Sequence, residues 1–372
     1  MDFGKSDTQA MLLESAERLL AARAGVEYWR KQRDTPGGFD RERWAQFAEL
    51  GWLALPLPEA AGGFDGTLED IALLNIALGQ ALATEPYVST TILCAHILAR
   101  ALDAAPLLAA IGQGEKLLAL AHQEPGGDTL GEAAATTARR VPGGFLLSGR
   151  KLLALDAASA DMLIVSATIE AEAGTALFLV ERDAAGVTLE PYPLIDGTRA
   201  ADIDLQEVAL GPSALLAESD AGAALLAEAR DRASIALFAQ AVGSMEACLQ
   251  LCGDYVKERR QFGVPIGSFQ AIQHLLADMF VAAYQARSML YHAIAHGHAE
   301  PAARAAALSA AKIVIGEAGQ LVSRTGIQVH GGYGLTDEYA ISHYFRRLMT
   351  IEKLYGDLDR HTRRFADHCF GP

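Results

Sequence analysis

The 372-residue sequence predicts a mainly α protein with a β domain in its middle, and three observations predict it. Apolar residues recur at helical spacing in the first third and again over the last 150 or so residues. Between those stretches the period changes to short apolar or alternating runs, separated by Gly, Pro and Asp turn signals. The composition is 51% hydrophobic and dominated by Ala and Leu, enough apolar mass for more than one packed core. The expected division is 1–115 helical, 116–217 β and 218–372 helical.

In the first segment, Asp7 to Leu20 carries apolar positions at helical spacing behind an Asp or Ser cap. Arg41 to Leu50 is a second helix, stopped by Gly51. Leu55-Pro-Leu-Pro58 and Ala61-Gly-Gly-Phe-Asp-Gly66 form an extended turn and loop. A third helix runs from about Leu68 to Leu82 and ends near Thr84-Glu-Pro86.

In the middle, Leu117 to Ala121, Gly144 to Leu147, Lys151 to Leu155, Met162 to Ala167, Thr175 to Val180 and Ala201 to Leu210 read as strands. Ala133 to Ala135 read as a turn into a strand. Short strands at regular spacing without intervening helices predict a compact antiparallel barrel or sandwich.

Beyond about Glu218, Gly222 to Val256, Phe269 to His296, Pro301 to Gln328 and a stretch from Glu338 onward predict long antiparallel helices that pack as a bundle. Two segments here are the most informative of the chain. Glu258-Arg-Arg-Gln-Phe-Gly263 leads through Gly263 to Gly267 into Ser268-Phe-Gln-Ala-Ile-Gln273, and Gly326 to Gly334 contains Gln328 and Gly331-Gly332. They put a guanidinium, amides and bare backbone at helix ends, the groups that hold a pyrophosphate and a polar ring.

Other classes are disfavoured. The net charge is −15 and no basic stretch offers a nucleic-acid footprint. No uninterrupted apolar run approaches the ~20 residues of a membrane span, and the first residues lack an apolar signal core, so a cytoplasmic location is expected. Cys94, Cys248, Cys252 and Cys369 have no zinc spacing and are expected to be small buried hydrophobes, so no metal is expected. Neither a nicotinamide nor a P-loop fingerprint occurs.

The order of segments, with Glu49-Leu-Gly-Trp-Leu-Ala-Leu-Pro56, Glu59-Ala-Ala-Gly-Gly63 and the two segments above, resembles the acyl-CoA dehydrogenase family over nearly the whole chain. Thr84-Glu-Pro-Tyr87, His343-Tyr-Phe-Arg-Arg347 and Leu354-Tyr-Gly-Asp357 are similar to the small subunits of two-component bacterial enzymes of the pimeloyl-CoA dehydrogenase type. The resemblance implies an N-terminal helical domain, a middle antiparallel β-barrel and a C-terminal four-helix bundle. It also implies FAD, which accepts a hydride from the β-carbon of an acyl-CoA while a carboxylate takes the α-proton. In such proteins FAD spans two subunits, the ring on the β domain of one and the ADP part at the bundle of its neighbour.

By that resemblance Arg259 contacts the pyrophosphate, Phe262 stands beside it, Gln270 faces the cofactor, and Gln328, Gly331 and Gly332 approach it. The ring side departs from the pattern. Gln123 stands where a hydroxyl residue precedes Glu124-Pro-Gly126, Leu153-Ala-Leu155 replaces Trp-Ile-Thr, and Gly127-Asp-Thr-Leu130 is a weak match to the serine-bearing loop. The usual catalytic Glu is replaced by Tyr355; the second family carboxylate position falls near Ala233 and the adjacent Arg position at Ser234. Asp357 is then the nearest candidate base, with an N-cap as its structural alternative. Glu228 and Asp231 read as solvated or ion-paired, and His274 and His330 as packing groups.

Three functions stay open on these residues. The first is a subunit that donates the ADP side of a shared FAD site, with the base on a larger acyl-CoA dehydrogenase partner in a heterotetramer. The second is a self-sufficient enzyme using Asp357, as a homotetramer. The third is a flavin-free acyl-CoA-binding scaffold. The resemblance further implies an electron-transfer flavoprotein as acceptor, and a bulky or unusual acyl group.

Overall fold

The computed structural model describes residues 4–22, 25–100, 104–126 and 135–371. The weakly matching loop Gly127 to Leu130, the start of the Ala133 to Ala135 turn and the first three residues lie outside them. The chain falls into two compact units that interleave along the sequence: one holds Met1–Lys31, Leu68–Ala83 and Ser234–Pro372, the other Gln32–Thr67 and Thr84–Ala233.

The β-bearing unit contains α3 (Arg41–Glu49), a π-helical run Tyr87–Cys94, α5 (Ala95–Leu98), α6 (Ala105–Gly112) and strands β1 (Leu118–Ala121), β2 (Thr137–Val141), β3 (Gly144–Leu155), β4 (Met162–Ile169), β5 (Ala176–Glu181), β6 (Val187–Pro193), β7 (Arg199–Leu210) and β8 (Leu215–Ala217). The sheet order is β6-β7-β3-β2-β4-β5-β8, with β1 beside β4. Most pairings are antiparallel, as the sequence predicts, but β1–β4 and β2–β4 run parallel. The two runs predicted at Gly144 and Lys151 are one strand, β3, which pairs with β7 and is broken by a bulge between Lys151 and Ala154. Alternating residues such as Phe145, Leu147, Leu163, Val165, Phe178 and Ile203 face one apolar core. Asp40 caps α3 by accepting from the Glu42 amide.

The helical unit contains α1 (Asp7–Ala22), most of α2 (Val26–Arg33), α4 (Leu68–Gln80), α8 (Gln270–Ala295), α9 (Pro301–His330), α10 (Ala340–Lys353) and α11 (Leu358–Phe370). The 40-residue helix α7 (Ser219–Glu258) gives its first turns to the β-bearing unit and the rest to this one. Helix α9 packs on α8, α10 and α11. Its buried face is built from small residues, Ala307, Ala311, Gly316, Gly319 and Gly326, which lets neighbours approach closely: a Cβ on Gly316 would sit 2.6 Å from Leu358 Cδ2. By length and composition Ser219–Glu258 and Pro301–Leu335 would suffice to cross a membrane, although the sequence shows no uninterrupted apolar run of that length. Their apolar windows are 72% and 56% buried within the structure, as in core helices. Cys94, Cys248 and Cys252 are buried as expected, whereas Cys369 is exposed near the end of α11.

Candidate flavin and substrate site

In the helical unit, α7 ends at Glu258 and the chain turns back at once through a two-residue hairpin, β9 (Arg260–Gln261) against β10 (Val264–Pro265). Phe262 and Gly263 form its turn with φ of 54° and 84°, the two positive values such a tight turn requires. Phe262 is thereby pushed outward and is 93% exposed. The Ile266 amide donates to the Arg259 carbonyl and closes the loop, after which Gln270 opens α8. Arg259 and Gln270 are both exposed. Among the described residues the Arg259 guanidinium has no hydrogen-bond or ion-pair partner.

The end of α9 meets this turn. Val256, Ile266 and Val329 form a small apolar cluster that ties the hairpin to the segment carrying Gln328. Gln328 is exposed, and Gly331 (φ 62°) terminates α9 by donating its amide to the Gln328 carbonyl. A Cβ built on Gly331 or Gly332 meets no atom within 4 Å, so a strip of bare backbone faces open space. His330 lies beneath it and is tied at both ring nitrogens, Nδ1 2.8 Å from the Gly326 carbonyl and Nε2 3.1 Å from the Tyr339 hydroxyl, with the Tyr255 ring 4.2 Å away. Burial lowers its pKa despite the carbonyl contact. His330 is thus a packing residue as expected; His274 is exposed. An unpaired guanidinium, an exposed aromatic, two amides and an open Gly-Gly backbone fit the ADP half of FAD.

In the β-bearing unit, the end of β1 leads to His122, Gln123 and Glu124. Gln123 offers its carbonyl to the Leu152 amide. The bulge in β3 places Leu153 at φ 50°, a conformation that costs a leucine of the order of 1 kcal/mol. Its amide donates to Asp202 Oδ1, which also accepts from the Tyr192 hydroxyl. The irregular backbone is present where the family carries Trp-Ile-Thr, while Leu153 and Leu155 bring neither an aromatic face nor a hydroxyl to it.

A buried ion pair that the sequence reading missed lies beneath. Lys151 is fully buried, its Nζ 2.6 Å from Glu124 Oε1, 3.2 Å from Ser166 Oγ and 3.3 Å from the His122 carbonyl. Glu124 also accepts from the Ala135 and Thr136 amides. Burial pushes the Glu124 carboxyl up, but its bonds from Lys151, Thr136 and Ala135 outweigh that and hold it below the usual range; burial lowers Lys151. A Lys inside a Leu-rich strand and a Glu before Pro-Gly were the available signal, since opposite buried charges pair.

The position of the usual base is a constrained turn between α10 and α11. Tyr355 (φ 54°) and Gly356 (φ 97°) form it, Lys312 Nζ donates at 2.8 Å to the carbonyls of both Ile351 and Leu354, and His361 Nε2 donates to the Tyr355 carbonyl at 3.0 Å. Asp357, the candidate base, caps α11 by accepting from the Arg360 amide at 3.0 Å, with Lys353 Nζ 3.7 Å away. The amide bond and Lys353 hold its carboxyl below the usual range, away from what a general base needs at neutral pH. The N-cap that the sequence offers as the alternative reading of Asp357 is thus present. Ala233 is wholly buried in α7 and has no titratable group.

Residues 6–104 match the family description "Acyl-CoA dehydrogenase, N-terminal domain" and residues 220–369 match "Acyl-CoA dehydrogenase, C-terminal domain". The chain is 30% identical to acyl-CoA dehydrogenase IpdE2 of Mycolicibacterium smegmatis, over 98% of this chain and 100% of that one. Among solved structures it is similar to a variant of the Tcur3481–Tcur3483 steroid ACAD, with a TM-score of 0.87 at 30% identity and 97% of each chain covered. It is also similar to the ChsE4–ChsE5 complex from Mycobacterium tuberculosis, with a TM-score of 0.90 at 25% identity and 100% of each chain covered. The chain belongs to the acyl-CoA dehydrogenase family, and FAD is the cofactor of that family.

Proposed function

We propose that this chain is one subunit of a heteromeric, FAD-dependent acyl-CoA dehydrogenase, supplying the ADP half of a shared flavin site while a larger partner supplies the base. One observation carries this: the unpaired Arg259 guanidinium and open Gly331-Gly332 backbone persist in a chain with Tyr355 and Ala233 at the two base positions. Arg259 would neutralise the pyrophosphate, Phe262 would cover it, and Gln270 and Gln328 would orient the neighbouring sugar and base. FAD, when bound, takes up the hydride from the β-carbon of the thioester. The similarity to ChsE4–ChsE5 and Tcur3481–Tcur3483, each named for two chains, supports a heteromer; we extend this to a heterotetramer with an electron-transfer flavoprotein as acceptor and a cytoplasmic location.

Two variants of the complex purified with its partner test it. Asp357→Asn keeps an N-cap of nearly equal strength but removes the carboxylate, so turnover of the acyl-CoA is expected to stay within about twofold. Arg259→Ala removes a charge-assisted contact worth about 2 kcal/mol, which corresponds to roughly thirtyfold weaker FAD binding. Abolished turnover in Asp357→Asn with FAD still bound would assign the base to this chain instead.

A further inference from the structure

One cavity in the β-bearing unit serves none of the roles above. It is open to solvent, has a volume of about 390 Å³, and lies between the segment that leads into α3 and the turn between β3 and β4. Thr35, Gly37, Phe39 and Arg41 line it from the first, Ser159 from the second, and Arg182 from the end of β5; no acidic residue lines it. Its size is that of a small-molecule site.

The walls are held in place by bonds that a ligand need not make. Arg199 donates through Nη2 to the carbonyls of Arg33 and Thr35, at 2.6 and 2.9 Å, and the Thr35 hydroxyl donates to that of Gln32 at 2.7 Å. Gly38 (φ 73°) passes so close to Arg199 that a Cβ there would lie 2.7 Å from its Cγ. The Ser159 hydroxyl reaches the Gly37 carbonyl at 3.4 Å and joins the two walls. A preformed opening of this kind loses little further freedom when a ligand enters.

The donors on the lining are not met from within. Arg41 is exposed, with Cζ 5.5 Å from the centre of the buried Phe39 ring, and among the described residues it makes no hydrogen bond or ion pair. It is also the first residue of α3, where the helix dipole works against a cation. Arg182 gives Nε to Asp183 and Nη1 to the Ala158 carbonyl, both at 3.1 Å, which leaves Nη2 without a partner among the described residues. Two guanidiniums from separate elements thus border one opening with donors to spare. A carboxylate presents two oxygens in a plane and suits a single guanidinium fork; a phosphate monoester presents three in a tetrahedron, and two forks can share it.

We propose that this cavity binds a small phosphate monoester, its phosphate between Arg41 and Arg182 and its organic part over Phe39. Inorganic phosphate alone would leave most of the volume empty. No residue of the lining belongs to the flavin site described above, so this binding stands or falls independently of the proposed function.

Calorimetric titration of the full chain tests it, with phenyl phosphate, benzoate and inorganic phosphate as probes. Phenyl phosphate is expected to bind about tenfold more tightly than either of the others. Arg41→Gln and Arg182→Gln are each expected to weaken it about tenfold, the effect of one charge-assisted hydrogen bond. Arg41→Lys, which keeps the charge but loses the planar fork, is expected to retain part of the affinity. An unchanged unfolding midpoint in the absence of ligand confirms that the variants fold. No binding of phenyl phosphate, or undiminished affinity in both glutamine variants, overturns the site. Benzoate binding as tightly as phenyl phosphate overturns the phosphate assignment, and inorganic phosphate doing so overturns the monoester.

Discussion

Arg43 of α3 and Glu85 meet through two 2.7 Å hydrogen bonds, with both side chains almost wholly out of solvent. Such a bidentate pair contributes little net stability relative to apolar residues, but removing one member strands the other charge. Arg43→Ala is expected to cost about 3–5 kcal/mol, read as a fall in the thermal unfolding midpoint; a loss under about 1 kcal/mol would show that water reaches Glu85. His361 behaves differently. Burial brings its pKa down to about 4, despite its bond to the Tyr355 carbonyl. Above about pH 6.5 the ring is neutral folded or unfolded and contributes no pH dependence. As pH falls from there toward 4, only the unfolded chain takes up the proton, so the folded state loses stability. Between pH 7 and pH 5 this amounts to about 2 kcal/mol. His361→Gln should therefore lose correspondingly less stability over that interval than wild type, and equal losses would contradict the assignment.

Two glycines decide how α4 and α7 cross within the helical unit. A Cβ on Gly79 would lie 2.1 Å from the Gln240 carbonyl oxygen, and one on Gly243 2.0 Å from that of Ile76. Gln240 Nε2 reaches Asn75 Oδ1 at 3.0 Å and Ser244 Oγ the Gly79 carbonyl at 3.1 Å, so polar groups lock the contact that the notches permit. In an isolated helix Gly243→Ala would stabilise by about 1 kcal/mol. Here the clash is with backbone, and the expected net effect is a loss of about 1–3 kcal/mol, measured by thermal unfolding; a gain would mean the helices can separate without cost. The long helices were legible because their period is local. The strands at Thr137–Val141 and Val187–Pro193 were not: the first carries two arginines, and the second is an edge strand containing Pro191 and Pro193, which an edge tolerates and a sequence pattern reads as a break. The β3 bulge at Leu153 was equally hidden, since its φ of 50° is imposed by pairing with β7 and by Asp202.

Across the molecule, what the sequence revealed of the candidate site follows the same division. The Arg259 hairpin and the Gly331-Gly332 helix end are short continuous segments whose turn chemistry can be read directly. Lys151 with Glu124 and Arg100 with Glu228 join residues 27 and 128 positions apart, and only the folded chain brings them together. The substitutions at Tyr355, Ala233 and Leu153 could be read from sequence. That Asp357 serves α11 as its cap required coordinates. The central claim is that this polypeptide holds a nucleotide tail but not a complete reaction centre. Its most direct test is to purify the chain alone and together with the partner that accompanies it, and to measure FAD per chain and acyl-CoA oxidation in each. Little FAD and no turnover are expected from the chain alone, with both appearing in the complex; one FAD per chain and turnover from the isolated chain would show that it carries a complete site.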